Sequence, residues 1–201
     1  MIMKRMRVLG TGSYLPERIV SNRELAEPLG IAPEAIERLT GIRERRWAAE
    51  GQASSDLAIE ASRQALQAAS CGAGDVDAII VSTTSPDSAF PSTACFVQRG
   101  LGCRGVAAFD VSASCSGFLY GLSMANGMIQ SGQAKTCLVV SAEVKSRFLD
   151  PADAATVVLF GDGAGAVVVR GEEGQGSSAP GLLRIRLHAD GSKHGLIRVP
   201  A

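Results

Sequence analysis

Residues 109–132, FDVSASCSGFLYGLSMANGMIQSG, read as the end of a strand at Val111, a tight turn of small residues, and an apolar helix over 116–131 that stops at Gly132. A strand that passes through a short turn into a helix is half of a β–α–β unit, and TCLVVSAE (136–143) supplies its second strand. Upstream, VDAIIVSTT (76–84) is apolar almost throughout. The loop SPDSAFP, a helix from about Ser92 to Leu101 and a short strand VAAFDV (106–111) follow it. Strands that are apolar on both sides, alternating with helices, belong to a sheet covered on both faces. The fold class is therefore α/β with a mainly parallel sheet.

Working outward, MRVLGTGSYL (6–15) reads as a strand ending at Pro16, and Asn22 as the N-cap of a short helix through Leu29. A second helix runs from Pro33 to Leu39, and TGIRERRW (40–47) reads as a polar, arginine-rich turn. Ser54 or Ser55 caps the next helix, whose apolar positions recur at 3.6-residue spacing and which stops at Cys71-Gly72. Beyond residue 156 the texture changes. TVVLF and AGAVVVR read as two strands joined by GDG in a hairpin, GEEGQGSSAPG (171–181) as a flexible polar loop, and LLRIRLHAD as a last strand. No internal repeat is visible.

The 201 residues are 46% hydrophobic and 20% charged, which excludes a disordered chain and fits one unit. Twenty basic residues balance twenty acidic ones, so no overall field draws the protein to nucleic acid or to an anionic membrane. Nowhere do 18 apolar residues occur in succession, and no long apolar run follows the basic start Met1–Arg7; a cytoplasmic protein is expected. Cysteines 71, 95, 103, 115 and 137 show no CxxC spacing, and only His188 and His194 are present, so neither a disulfide framework nor a metal site is expected. Asp162, in GDGAGA, does not mark a phosphate loop, because a strand rather than a helix follows it.

Cys115 is the chemically informative residue. It falls at the first turn of an apolar helix, where partial positive charge and unpaired N–H groups stabilise a thiolate and the oxyanion of a thioester adduct. Ser112, Ala113, Ser114, Ser116 and Gly117 leave room for an acyl group. Spacing alone leaves open a cysteine that acts only as a small hydrophobe. The other four cysteines lack this setting and read as structural. Trp47 reads as a packing residue behind the arginine turn.

Six blocks in order, GTGSYLPERIVSN, LTGIRERR, STTSPDSAFPSTAC, AFDVSASCSGFLYGL, LFGDGAGAVV and LHADGS, resemble the N-terminal half of β-ketoacyl-acyl-carrier-protein synthase III. The resemblance implies a thiolase-like fold, of which residues 1–201 form one half of an αβαβα layered arrangement, and a homodimer. It implies that Cys115 takes an acyl group from a thioester. A decarboxylating malonyl group on acyl-carrier protein then attacks that group in a Claisen condensation that starts fatty-acid or polyketide synthesis. No cofactor is implied; coenzyme A or carrier-protein phosphopantetheine thioesters are substrates. Phe90 matches a residue that reaches across the dimer to line the partner's acyl pocket, with ordinary core packing as the alternative, and Thr84 is placed near that pocket.

Departures carry equal weight. The family's histidine and asparagine, which polarise the malonyl carbonyl, have no counterpart here; His188 and His194 do not replace them. Condensation is then expected to need a C-terminal half, from a partner chain or a longer protein. The tryptophan and two arginines that grip coenzyme A in better-known members correspond to Ala35, Leu39 and Ala154, which predicts poor use of acyl-CoA. Arg38, Arg43, Arg45 and Arg46 either supply a positive patch instead or form a solvated basic turn. Two other readings compete with this one. A hydrolase of the GxSxG type fails because Ala113 stands where a glycine is needed. A non-catalytic subunit or dimerisation module with a vestigial Cys115 remains, and either role predicts a large exposed apolar surface.

Overall fold

The computed structural model describes residues 4–173 and 181–199. Its five-stranded sheet has the order β1 (Lys4–Tyr14), β7 (Gly163–Glu173), β6 (Thr136–Glu143), β4 (Ala78–Ser82), β5 (Ala107–Val111). β4 runs parallel to β5 and β6, while β7 is antiparallel to both its neighbours. The apolar runs are explained by burial on two faces. Ile79, Val81, Leu138 and Val140 point into one core with α3 (Ser54–Ala68) and α4 (Thr93–Leu101). Ala78, Ile80, Cys137 and Val139 point into the other with α5 (Gly117–Ser131).

The strand order fixes which helix covers which face. From β4 the chain steps outward to β5 through α4, then returns past β4 to β6 through α5. Connections of one hand that travel in opposite directions along a sheet cover opposite faces. α5 comes close to the strands because Gly117, Gly121 and Ala125, one turn apart, form its buried face. A Cβ built on Gly117 would lie 1.9 Å from Ser82 Oγ, and one on Gly121 2.9 Å from Val139 Cγ1.

Outside this frame the structure departs from the sequence reading. Residues 40–47 are not all turn: Glu44–Trp47 is a strand, β3, pairing antiparallel with β2 (Arg18–Ser21). Val20, Leu25 of α1 (Asn22–Leu29), Ile36 of α2 (Pro33–Thr40) and Val157 of α6 (Ala154–Val157) form a small third core beside this ribbon. The N-cap of α1 is Ser21, whose Oγ accepts from Glu24 N at 3.2 Å, rather than Asn22. Neither Ser54 nor Ser55 caps α3. Asp56 accepts from Ala53 N at 2.8 Å, and the two hydroxyls turn to Ser85 and Asp87; the helix ends at Ala68.

The hairpin expected over 156–170 is absent. Asp153 caps α6, and Val158 O and Asp162 N are bonded to Arg45 and Arg46 O, so residues 158–162 have no strand partner in β7. β7 instead fills the sheet between β1 and β6. Of the loop expected over 171–181, Gly171–Glu173 are the end of β7 instead, and 174–180 lie outside the described residues. LLRIRLHAD forms no strand: Leu182 N donates to Met6 O at 2.8 Å, and most side chains beyond it are exposed, with no second layer to cover them.

α3 crosses β1 over Gly10 and Gly12. A Cβ on Gly12 would sit 2.2 Å from Ala61 O and 2.5 Å from Ala65 N, which are backbone atoms that cannot turn aside. Gly12→Ala is expected to cost about 3 kcal/mol or more in urea unfolding, at the upper end of overpacking penalties. Gly127→Ala, in α5 with nothing within 4 Å of the new methyl, should leave stability unchanged or raise it by up to about 1 kcal/mol.

Candidate active site

The chain leaves β4 toward α4 on one face and leaves β5 toward α5 on the other. Two adjacent parallel strands whose exits diverge open a crevice at their C-terminal ends, the usual ligand position in such sheets. The loops 83–92 and 112–116 border this crevice, and Cys115 lies on the second. It occupies a 3₁₀ turn, Ser114–Ser116, one residue ahead of the N-cap of α5 rather than inside its first turn. Ser114 has φ of 46°, a left-handed conformation that a serine adopts only when its surroundings enforce it. The turn is held by Ser116 N to Ala113 O at 3.1 Å and by Thr83 N to Val111 O at 3.3 Å.

Among the five cysteines only Cys115 is exposed. No side chain caps α5, so the positive end of a four-turn helix faces the region of the thiol. Cys137 is fully buried and burial, with the Asp77 carboxylate adding to it, pushes its thiol up to about 12. Burial also raises Cys103. Cys71 is bound by Arg170 at 3.3 Å and Cys95 by the Ser92 hydroxyl at 3.3 Å.

Behind loop 83–92, on its β6 side, lies a residue that sequence reading missed. Glu143, the last residue of β6, accepts from Thr84 N and Thr84 Oγ1, both at 2.9 Å, and from the Ser85 hydroxyl. Thr83 Oγ1 is 3.5 Å away and Lys145 Nζ 3.4 Å. Lys145 also donates to Thr84 Oγ1 and stands 5.7 Å over the Phe148 ring. An ammonium only donates and a carboxylate only accepts, so the single proton of the Thr84 hydroxyl is committed to Glu143. Toward any ligand Thr84 is left as an acceptor. Nothing in the local sequence marks Glu143, because the groups that donate hydrogen bonds to it, on Thr83, Thr84 and Ser85, lie some 60 positions earlier.

Phe90 is 85% exposed, so within this chain it is not a core residue. Its loop is tied down at the base by Ser55 Oγ to Asp87 and Asp87 N to Thr93 Oγ1. Asp162 is a buried bracket instead of a hairpin residue: it accepts from Ala48 N (2.7 Å), Ser146 N (2.9 Å) and Ser146 Oγ (2.6 Å). Just before it, Leu159 and Phe160 are exposed at the same end of the sheet.

The arginine patch does not assemble. Arg45 is buried, donating to Val20 O, Asn22 Oδ1 and Val158 O, and its desolvation lowers its pKa against the opposing pull of Glu24. Arg46 binds Pro16 O, and Arg43 pairs with Glu37 at 2.8 Å, which leaves Arg38 beside the exposed Leu39. The Arg18 guanidinium stands 5.3 Å from the centroid of the Trp47 ring. His188 and His194 are exposed. Among the described residues no cluster of three metal-ligating side chains exists, and no helix is long and apolar enough to cross a membrane.

A profile of 3-oxoacyl-[acyl-carrier-protein] synthase III matches residues 109–191. β-Ketoacyl-[acyl-carrier-protein] synthase III of Xylella fastidiosa is 51% identical over 96% of this chain and 58% of its own length. The Paramagnetospirillum magneticum protein of the same name is 52% identical over 97% and 60%. The crystal structure of 3-oxoacyl-(acyl carrier protein) synthase III from Pseudomonas aeruginosa superposes with a TM-score of 0.91 at 41% identity, covering 98% of this chain and 59% of that one. The chain thus spans less than two thirds of the relatives it matches.

Exposure and burial predict the order in which the thiols react. With iodoacetamide at pH 8, Cys115 should be labelled first, read by peptide mass. Cys103 and Cys137 should stay unlabelled until denaturant opens the fold, since both are buried and burial raises both thiols; Cys137, at about 12, holds only about one thiolate in ten thousand at that pH.

Proposed function

Because this chain belongs, over the part it spans, to the thiolase-like β-ketoacyl-[acyl-carrier-protein] synthase III family, we propose that Cys115 accepts an acyl group for decarboxylative condensation. One observation carries the proposal: an exposed thiol in an enforced turn, directly ahead of an uncapped helix N-terminus, at the crevice between diverging strands.

The chemistry follows from that placement. The Cys115 thiolate attacks the carbonyl carbon of an acyl thioester, the electron pair moves to oxygen, and the donor thiolate leaves as the carbonyl re-forms. Cys115 then carries the acyl group as a thioester. N–H groups at the start of α5 face the developing oxyanion and stabilise it. In the second stage a malonyl thioester loses carbon dioxide, and its carbanion forms a carbon–carbon bond to the acyl carbonyl and releases the Cys115 thiolate. Groups that polarise the malonyl carbonyl have no counterpart in residues 1–201, so this stage draws on a C-terminal half. The face of α5 turned from the sheet, with Leu119 and Met124 exposed, is the surface we assign to that half.

Thr84 and Phe90 line the acyl pocket in this reading, Phe90 that of a second protomer in a homodimer, and acyl-carrier protein is the partner in a cytoplasmic setting. No resident cofactor is needed. The donor is carrier-bound: where an adenine and its phosphates would be gripped, the chain has Ala35, Ala154 and the exposed Leu39, and the neighbouring Arg45 and Arg46 are occupied internally. A vestigial Cys115 in a non-catalytic subunit is the alternative.

Incubation with an acyl-CoA and, separately, with the same acyl group on acyl-carrier protein, followed by intact-mass measurement, tests both points. One acyl adduct is expected, absent in Cys115→Ser, and formed faster from the carrier-protein donor. An unmodified wild type would favour the non-catalytic subunit, and equal rates from both donors would remove the argument on coenzyme A.

A further inference from the structure

We infer that Glu143 is a positioning residue for acyl transfer: through Thr83, Thr84 and Ser85 it fixes the segment against which the Cys115 turn rests. The inference depends on the acyl-transfer reading above.

The hydrogen bonds around Glu143 converge on three consecutive residues. Its carboxylate takes the Thr84 amide and hydroxyl at 2.9 Å and the Ser85 hydroxyl, with Thr83 Oγ1 at 3.5 Å. Ser85 is in turn held by Ser54 Oγ through its carbonyl at 2.6 Å, and Val144 N donates to Ser85 Oγ at 2.9 Å. The segment 83–85 is therefore clamped between β6 and α3 at the point where it leaves β4. The other side of the same segment supports the nucleophile. Thr83 N donates to Val111 O at 3.3 Å, and the Cα of Gly117 packs against Ser82 with no space for a methyl. A displacement of residues 83–85 is transmitted through Thr83 to Val111, at the start of the turn that holds Cys115, while Ser82, the adjoining end of β4, meets the far end of that turn at Gly117.

Lys145 sets the polarity of this clamp. It supplies a cation beside a half-buried carboxylate and occupies a lone pair of the Thr84 hydroxyl, so Glu143 stays an acceptor and the Thr84 proton stays directed at it. Glutamine at 143 keeps one acceptor oxygen for the Thr84 amide and hydroxyl, whereas alanine keeps none. A residue that acts by placement should thus be rescued in part by glutamine. It should matter for a substrate that must be aligned, and hardly at all for a small reagent that needs only an exposed thiol.

The test compares wild type, Glu143→Gln and Glu143→Ala in three measurements: the rate of Cys115 acylation by acyl-carrier-protein and acyl-CoA donors, the rate of Cys115 alkylation by iodoacetamide, and amide hydrogen exchange in peptides covering 83–87. Glu143→Ala should lower the maximal acylation rate about tenfold or more, the scale of loss for misplaced reacting groups. Its alkylation rate should stay within about twofold of wild type, an effect far smaller than misalignment costs. Exchange should rise in 83–87 and not across the sheet, and Glu143→Gln should recover most of the acylation rate. Unchanged acylation and exchange in Glu143→Ala would overturn the inference, as would equal losses of acylation and alkylation with exchange raised throughout. A wild type that takes no acyl group from either donor instead sinks the acyl-transfer reading. The exchange data alone then decide whether Glu143 holds 83–87 in place.

Discussion

At Gly117 and Gly121 the backbone of α5 lies directly against the side chains of Ser82 and Val139, with no helix side chain between, and most of the molecule follows from that contact. Glycine at 117 and 121 lets the helix approach, and the approach sets where its N-terminus emerges relative to the ends of β4 and β5. The sheet beneath must then be apolar on both faces, which is why Ala78–Ser82 and Thr136–Val140 are buried without alternation. Moving α5 outward by one methyl would shift the helix start, the strained Ser114 and the thiol together.

The parts of the fold that rest on local periodicity were legible in the residues. The buried strands appear as continuous apolar runs and α3, α4 and α5 as runs with period 3.6, the last two ended by Gly102 and Gly132, both in the left-handed conformation that favours glycine. The parts that rest on contacts between distant residues were not. A guanidinium reads as solvent-exposed, yet Arg45 is buried because three carbonyl or amide oxygens from separate segments converge on it. TVVLF reads as a strand because it is apolar and β-branched, but its hydrogen-bonding groups are claimed by Asp153 and the β2–β3 ribbon before β7 can use them. LLRIRLHAD alternates like a strand and finds no layer to pack on.

The candidate site divides in the same way. Cys115 is legible because strand, small-residue turn and helix adjoin in sequence. Thr84 and Phe90 are legible only through resemblance, and the structure adds what each touches: Thr84 is bonded to Glu143 and Lys145, while Phe90 projects from a loop anchored at its base. Asp162 carried no correct signal, since GDG suggests a turn. Its role as a buried bracket between Ala48 and Ser146 exists only once β3 and β6 have been brought together.

A two-stranded ribbon on its own is at best marginally stable in water. β2 and β3 escape that limit through Arg45, which cannot shed its proton and can leave its oxygen acceptors only by taking a bare cation through an apolar core. Ribbon, Asn22 and the stretch around Val158 therefore open together or not at all, as one cooperative unit in the hierarchy of partial unfolding. The exposed Leu159 and Phe160 inherit that cooperativity. They are carried on a surface element as rigid as the ribbon itself, although the segment has no regular secondary structure of its own.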